Sequence, residues 1–135
     1  MTKVRTVGEV MTANPISISE TASLAQAAGT LDRNKITGLP VLDENGVLVG
    51  VLSQTDLVRA RANQHLVSNW PGLAVEQIMT KPALTIAATA TLEEAAREME
   101  LHRVHRLVVT DATATPIGII STSDLVRSWL RKSED

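Results

Sequence analysis

The chain repeats itself without a gap. Gly118-Ile119-Ile120-Ser121-Thr122-Ser123-Asp124 has a twin sixty-eight positions earlier, Gly50-Val51-Leu52-Ser53-Gln54-Thr55-Asp56, and Leu-Val-Arg follows the aspartate in both. At the same offset Met11-Thr12 falls on Met79-Thr80, Leu24, Ala27 and Ala28 on Leu92, Ala95 and Ala96, and Leu39, Val41 and Asp43 on Leu107, Val109 and Asp111. A duplication of this kind reduces the folding of 135 residues to one unit solved twice. The copies span 7–62 and 75–131, with a linker at 63–74.

Within a copy the patterns follow an order of strand, helix, strand, strand, helix. Ile16-Ser17-Ile18 is a short strand. Thr21 or Ser23 caps a helix to about Asn34, with Leu24, Ala27, Ala28 and Leu31 on one face. Leu39–Leu42 is a strand, Asp43-Glu44-Asn45-Gly46 a hairpin turn, Val47–Leu52 a strand, and Thr55–Ala62 a helix. The second copy gives Leu84–Ile86, Leu92–His102, Arg106–Thr110, Ile117–Ile120 and Ser123–Arg131. Its turn at 112–116 has no glycine and is expected to be looser. The third strand is apolar at consecutive positions, so cover on both faces is expected. Copies of this size bury too little apolar surface to stand alone with ease. The expectation is an α+β fold of two β-α-β-β-α repeats packed through their sheets about a pseudo-two-fold axis.

Composition narrows the function. The net charge is −2, which argues against sequence-independent nucleic-acid binding. The chain has no cysteine, so thiolate catalysis, thiolate metal sites and disulfides are excluded. No apolar stretch is long enough to span a bilayer, no signal-peptide pattern is visible at the start, and a cytoplasmic setting is expected. Trp70 and Trp129 are the only aromatic residues, so a bound base cannot rest on stacked rings. Met11 and Met79 read as core. His65 and His102 read as linker or surface, without an acidic partner at helical spacing. No nucleophile elbow, metalloprotease motif or phosphate-binding glycine loop is present, and an enzyme is not expected.

The most chemical feature is the turn from third strand to second helix. Such a turn aims free backbone N–H groups outward, where an anion can sit. An ionised carboxylate at Asp56 or Asp124 can accept both hydroxyls of a cis-diol. The same tetrads, Ser53-Gln54-Thr55-Asp56 and Ser121-Thr122-Ser123-Asp124, are also capping boxes. The two roles can coexist.

The run of Val-Met-Thr, strand, amphipathic helix, Leu-Pro-Val-Leu-Asp, Asn-Gly and Gly-Val-Leu-Ser-x-x-Asp-Leu, written twice, resembles a tandem pair of CBS domains, named after cystathionine β-synthase. Val104-His105-Arg106-Leu107 also resembles the nucleotide-sensing gamma subunit of AMP-activated kinase. The resemblance implies a stand-alone, non-catalytic regulatory and energy-sensing module. It would bind AMP, ADP or ATP, or alternatively S-adenosylmethionine, in the cleft between repeats, and signal to a regulated protein. Asp56 and Asp124 would hold ribose. Ser53, Thr55, Ser121, Ser123, His105 and Arg106 would approach ribose or phosphate. Thr12, Ser17, Ile36, Thr37 and Gly38, with Thr80, Thr85 and Val104, would line the base. Asp124 would work mainly with the first lining set and Asp56 with the second. Because Thr37-Gly38 stands where the second copy has His105-Arg106, phosphate recognition is expected to be asymmetric. No metal, required cofactor, nucleic acid or membrane is expected. A homodimer is expected, and Leu57-Val58, Leu125-Val126 and Trp129-Leu130 read either as its seam or as intramolecular core. The competing reading is a ligand-independent dimerisation module.

Overall fold

The computed structural model describes residues 5–63 and 69–132. In chain order the elements are α1 (Val7–Val10), β1 (Thr12–Ala13), β2 (Ile18–Ser19), α2 (Leu24–Asn34), β3 (Gly38–Leu42), β4 (Leu48–Ser53), α3 (Gln54–Ala62), β5 (Thr85–Ala87), α4 (Leu92–His102), β6 (Arg106–Thr110), β7 (Pro116–Ser121) and α5 (Thr122–Lys132). Short 3-10 turns lie at Trp70–Gly72 and Val75–Gln77. The fold is mixed α+β. Residues 64–68 of the expected linker, including His65, lie outside the described residues.

Local chemistry sets the helix limits. Ser23, in extended backbone, accepts the Gln26 N–H at 3.1 Å, and the Gln26 side chain accepts the Ser23 N–H at 2.9 Å. Thr91 caps α4 through the Glu94 N–H at 3.1 Å. Both helices stop where Lys35 and Arg103 turn left-handed, each at φ 54°. Leu24, Ala27 and Leu31, like Leu92, Ala95 and Met99, then point into the cores.

The chain forms two compact units, Met1–Pro15 with Leu84–Asp135, and Ile16–Ala83. One holds a sheet ordered β1-β7-β6-β5, the other β2-β3-β4. In each, the first and second strands of a copy pair in parallel and the second and third in antiparallel. Each sheet is flanked by a short arm that precedes the other copy's first strand. In the first unit Val7 and Gly8 donate to the Ala90 and Ala88 carbonyls, both at 2.8 Å, and Thr12 pairs with Ile119. In the second, Val75 and Glu76 donate to Ala22 and Glu20 at 2.8 and 2.9 Å, and Thr80 pairs with Val51. Val7 and Val75 are fully buried, each in its unit's core.

The arms fit because of one glycine per sheet. A Cβ on Gly50 would lie 2.8 Å from Met79 Sδ and 2.9 Å from the Thr80 carbonyl oxygen. On Gly118 it would lie 2.9 Å from the Thr12 carbonyl oxygen and against Met11 Sδ. Met11 and Met79 are half-buried and pack against the cores.

Three expectations change. The first strand of each copy begins later, because only Ile18 and Ser19, and Thr85 to Ala87, run beside their partners; Ser17 is exposed outside β2. Continuous burial belongs to the central strands β3 and β6, while β4 and β7 alternate towards their ends. Hydrogen-bonded neighbours do not set this pattern, since β7 lies between β1 and β6; what packs over the two faces does. The second hairpin turn is also not loose. Asp111 Oδ1 accepts from the Thr113 N–H, the Thr115 N–H and the Thr113 hydroxyl at 2.9, 3.0 and 2.7 Å. The Thr113 hydroxyl foremost, then these backbone donors, hold the Asp111 carboxyl below its ordinary range. Ala114 occupies the left-handed position, φ 64°, that Gly46 fills at φ 79° in the first turn.

Two substitutions check this account. Gly118→Ala should destabilise the protein by about 1–3 kcal/mol, read as a lower urea midpoint; an unchanged midpoint would mean the arm is not held tightly. Ala114→Gly should instead stabilise by about 0.5–1 kcal/mol, since relief of left-handed strain exceeds glycine's added chain entropy.

Candidate functional site

β4 and β7 run directly into α3 and α5, with no loop between. Ser53 keeps extended backbone, φ −120° and ψ 165°, while the next residue is already helical. The abrupt change leaves the first N–H groups of the helix without helical partners. In the second unit Ser53 Oγ accepts the Asp56 N–H at 3.3 Å. Asp56 Oδ2 accepts the Ser53 N–H at 2.9 Å and its hydroxyl at 3.1 Å. Asp56 Oδ1 accepts the Thr80 hydroxyl at 3.1 Å and lies 3.5 Å from the Arg59 guanidinium.

The first unit varies the pattern. Ser121 Oγ accepts the Asp124 N–H at 3.2 Å, and Asp124 Oδ2 accepts the Ser121 N–H at 2.8 Å. The Ser121 hydroxyl shares a 2.9 Å bond with that of Ser123. Arg127 donates to Asp124 Oδ1 at 3.2 Å. Both carboxylates are buried, at 5% exposure for Asp56 and 8% for Asp124. The capping boxes are therefore formed, and each acid holds its anion at a helix start, where the dipole favours it.

The remaining candidates divide between the units. Ser17, Ile36, Thr37, Gly38, Thr55 and Thr80 share a unit with Asp56; Thr12, Thr85, Val104, His105, Arg106 and Ser123 share one with Asp124. Gly38 stands opposite Ser53 and Arg106 opposite Ser121 in the antiparallel register. The Thr37 carbonyl accepts the Gln54 N–H at 3.0 Å, and the His105 carbonyl accepts that of Thr122 at 2.9 Å. The backbone around the two boxes is thus alike, and one carries Arg where the other has no side chain. Thr12, Ser17, Thr55 and Thr85 are exposed, whereas Ile36 and Val104 pack on the cores.

A cavity of about 760 Å³ in the first unit is lined by Val104, His105, Thr122, Leu125, Val126 and Trp129 among others. The second unit's counterpart, about 610 Å³, includes Leu31, Gln54, Leu57, Arg61 and Trp70. Neither includes Asp56 or Asp124. Val104 and His105 therefore line a space along the helices, not the carboxylate box.

Arg59 and Arg127 are the residues that reading the sequence passed over. The signal was present, since each sits three positions after its aspartate, one turn along the helix. His102 also needs correction: its Nε2 lies 3.2 Å from Glu98 Oε2, one turn earlier. Among the described residues no group of three acidic or histidine side chains is placed to hold a metal ion. No described helix is long and apolar enough to cross a membrane.

The CBS-domain family model matches residues 7–63 and 75–131. The chain is 32% identical over 152 residues to the chloroplastic CBS domain-containing protein CBSX2 of Arabidopsis thaliana, covering 93% of this chain and 64% of the relative. It is 31% identical to inosine-5'-monophosphate dehydrogenase of Nitrosopumilus maritimus, covering 93% of this chain but 25% of that enzyme. The chain thus spans about a quarter of the length of such enzyme relatives. Among solved structures, CBSX2 in complex with AMP superimposes with a TM-score of 0.81 at 37% identity, over 94% of this chain and 97% of that one. The CBS domain pair of protein MJ0100, in complex with 5'-methylthioadenosine and S-adenosyl-L-methionine, gives 0.87 at 25% identity, over 96% and 99%. With both copies matched in sequence and the fold reproduced, this chain belongs to the CBS-domain family and carries two such domains in tandem.

Proposed function

We propose that the chain is a non-catalytic regulatory module that binds adenosine-containing ligands and signals their presence to a partner protein, in the cytoplasm. AMP, ADP or ATP is the favoured class, and S-adenosylmethionine the alternative. The observation that carries this reading is the pair of buried carboxylates at the starts of α3 and α5. Each is set among hydroxyls at a helix start, a combination suited to a ribose diol and a nearby phosphate. The AMP-bound and S-adenosylmethionine-bound relatives support it. For signalling, the ligand must bind the two states of the partner-facing surface with different affinity.

Calorimetric titration of the intact chain with AMP, ADP, ATP and S-adenosylmethionine tests the reading. Asp124→Ala should weaken binding about tenfold or more, the worth of hydrogen bonds to a charged acceptor, while the circular dichroism of the fold is kept. Wild-type affinity in that variant, or no heat with any of the four, would remove the proposal.

A homodimer is part of the same reading. Val58, Val126, Trp129 and Leu130 are exposed apolar residues on α3 and α5, at 67%, 52%, 45% and 66%. A second copy would cover them, and the same faces would serve a ligand-independent dimerisation module. Light scattering should give twice the chain mass for the wild type and a single chain for Trp129→Asp. A monomeric wild type would exclude the dimer and leave nucleotide binding to stand alone.

A further inference from the structure

The two carboxylates are equivalent by repeat but not by occupancy. An ionised carboxylate offers about four acceptor positions. Asp56 fills three of them, from the Ser53 N–H and hydroxyl on Oδ2 and the Thr80 hydroxyl on Oδ1, and Arg59 stands 3.5 Å from Oδ1 as an ion pair. Among the described residues Asp124 receives two donors, the Ser121 N–H and Arg127. Two local differences cause this. The Ser121 hydroxyl turns to Ser123, while Ser53 has Thr55 at that position and bonds to its aspartate. Thr12 and its counterpart Thr80 are both exposed, but only Thr80 donates to its unit's aspartate.

From this we infer that the two units fill in a fixed order, Asp124 before Asp56, and that Thr80 is the residue that sets the difference. The inference rests on the nucleotide reading above. A cis-diol brings two donors. Asp124 can accept both without giving up a bond, since its one side-chain partner is an exposed arginine whose charge water solvates readily. At Asp56 one acceptor position is left for two donors, so the same diol must first displace the Thr80 or the Ser53 hydroxyl. Thr80 is kept beside the acid by two backbone bonds to Val51, both 2.9 Å. It competes with the ligand for the acid and makes the second unit respond only at higher ligand concentration. The chain would then read two concentration ranges of one ligand.

Titrating the intact chain with AMP should resolve two unequal binding events. Asp124→Ala should remove the tighter one. Thr80→Val, which keeps the shape and deletes one donor, should tighten the weaker event about fivefold, the net worth of one hydrogen bond. The inference is overturned if the tighter event survives Asp124→Ala, or if Thr80→Val leaves the weaker event unchanged or weaker. A ligand-free cycle checks the cause separately. Thr80→Val with Asp56→Asn should show a coupling of about fivefold in the unfolding constant, and Thr12→Val with Asp124→Asn should show none. Equal coupling in both cycles would also overturn it. Absence of heat with AMP, ADP, ATP and S-adenosylmethionine would instead remove the nucleotide reading, and the ordering with it.

Discussion

A glycine in the third strand of each copy lets a foreign segment lie against the sheet. Gly50 and Gly118 face the Met-Thr pair of an arm so closely that a single methyl group would collide with a carbonyl oxygen and a sulfur. An unpaired sheet edge is a liability in any small domain. Here the arm satisfies that edge through two backbone bonds at Val51 and through the β1 pairing at Ile119. The same contact seats Val7 and Val75 at full burial, worth roughly 1.5–3 kcal/mol each. The arm also carries Thr80 to the Asp56 carboxylate. Core, sheet edge and candidate site therefore share one close approach.

The box at each helix start has a structural duty and room for a chemical one. Capping uses one oxygen of the acid, and the other faces an exposed arginine in both units, Arg59 or Arg127, with Thr80 added at Asp56 alone. Arg127 on Asp124 is an exposed partner, and an exposed ion pair contributes little to stability. Backbone bonds to Val51 keep Thr80 beside Asp56. Helix starts that are equally well made can thus present unequal acceptors.

Much of this was legible from residue order. α4 and β6 have the ends expected of them, Leu92–His102 and Arg106–Thr110, and of Thr21 and Ser23 it is Ser23 that caps α2. The arms were not legible, because Val7–Val10 and Val75–Gln77 are too short to show a period. A gap-free duplication tells which residues are equivalent; it does not tell which copy each one packs against. The left-handed Ala114 escaped for a related reason. Glycine marks such a turn in a sequence, whereas here Asp111 enforces it by gathering three donors. The Ser-x-x-Asp box was visible as a motif, but the donors on its outer oxygen come partly from Thr80, twenty-four positions away, and no local pattern announces them.

The exchanged arms have a topological consequence. The backbone passes from one unit to the other twice, near Pro15 and near Ala83, and not at the segment between the copies. A protease that nicks the chain between residues 63 and 69 would not produce one domain per fragment. Each fragment would own an arm in one unit and a body in the other, so the cleaved protein would stay interlocked until both units melt.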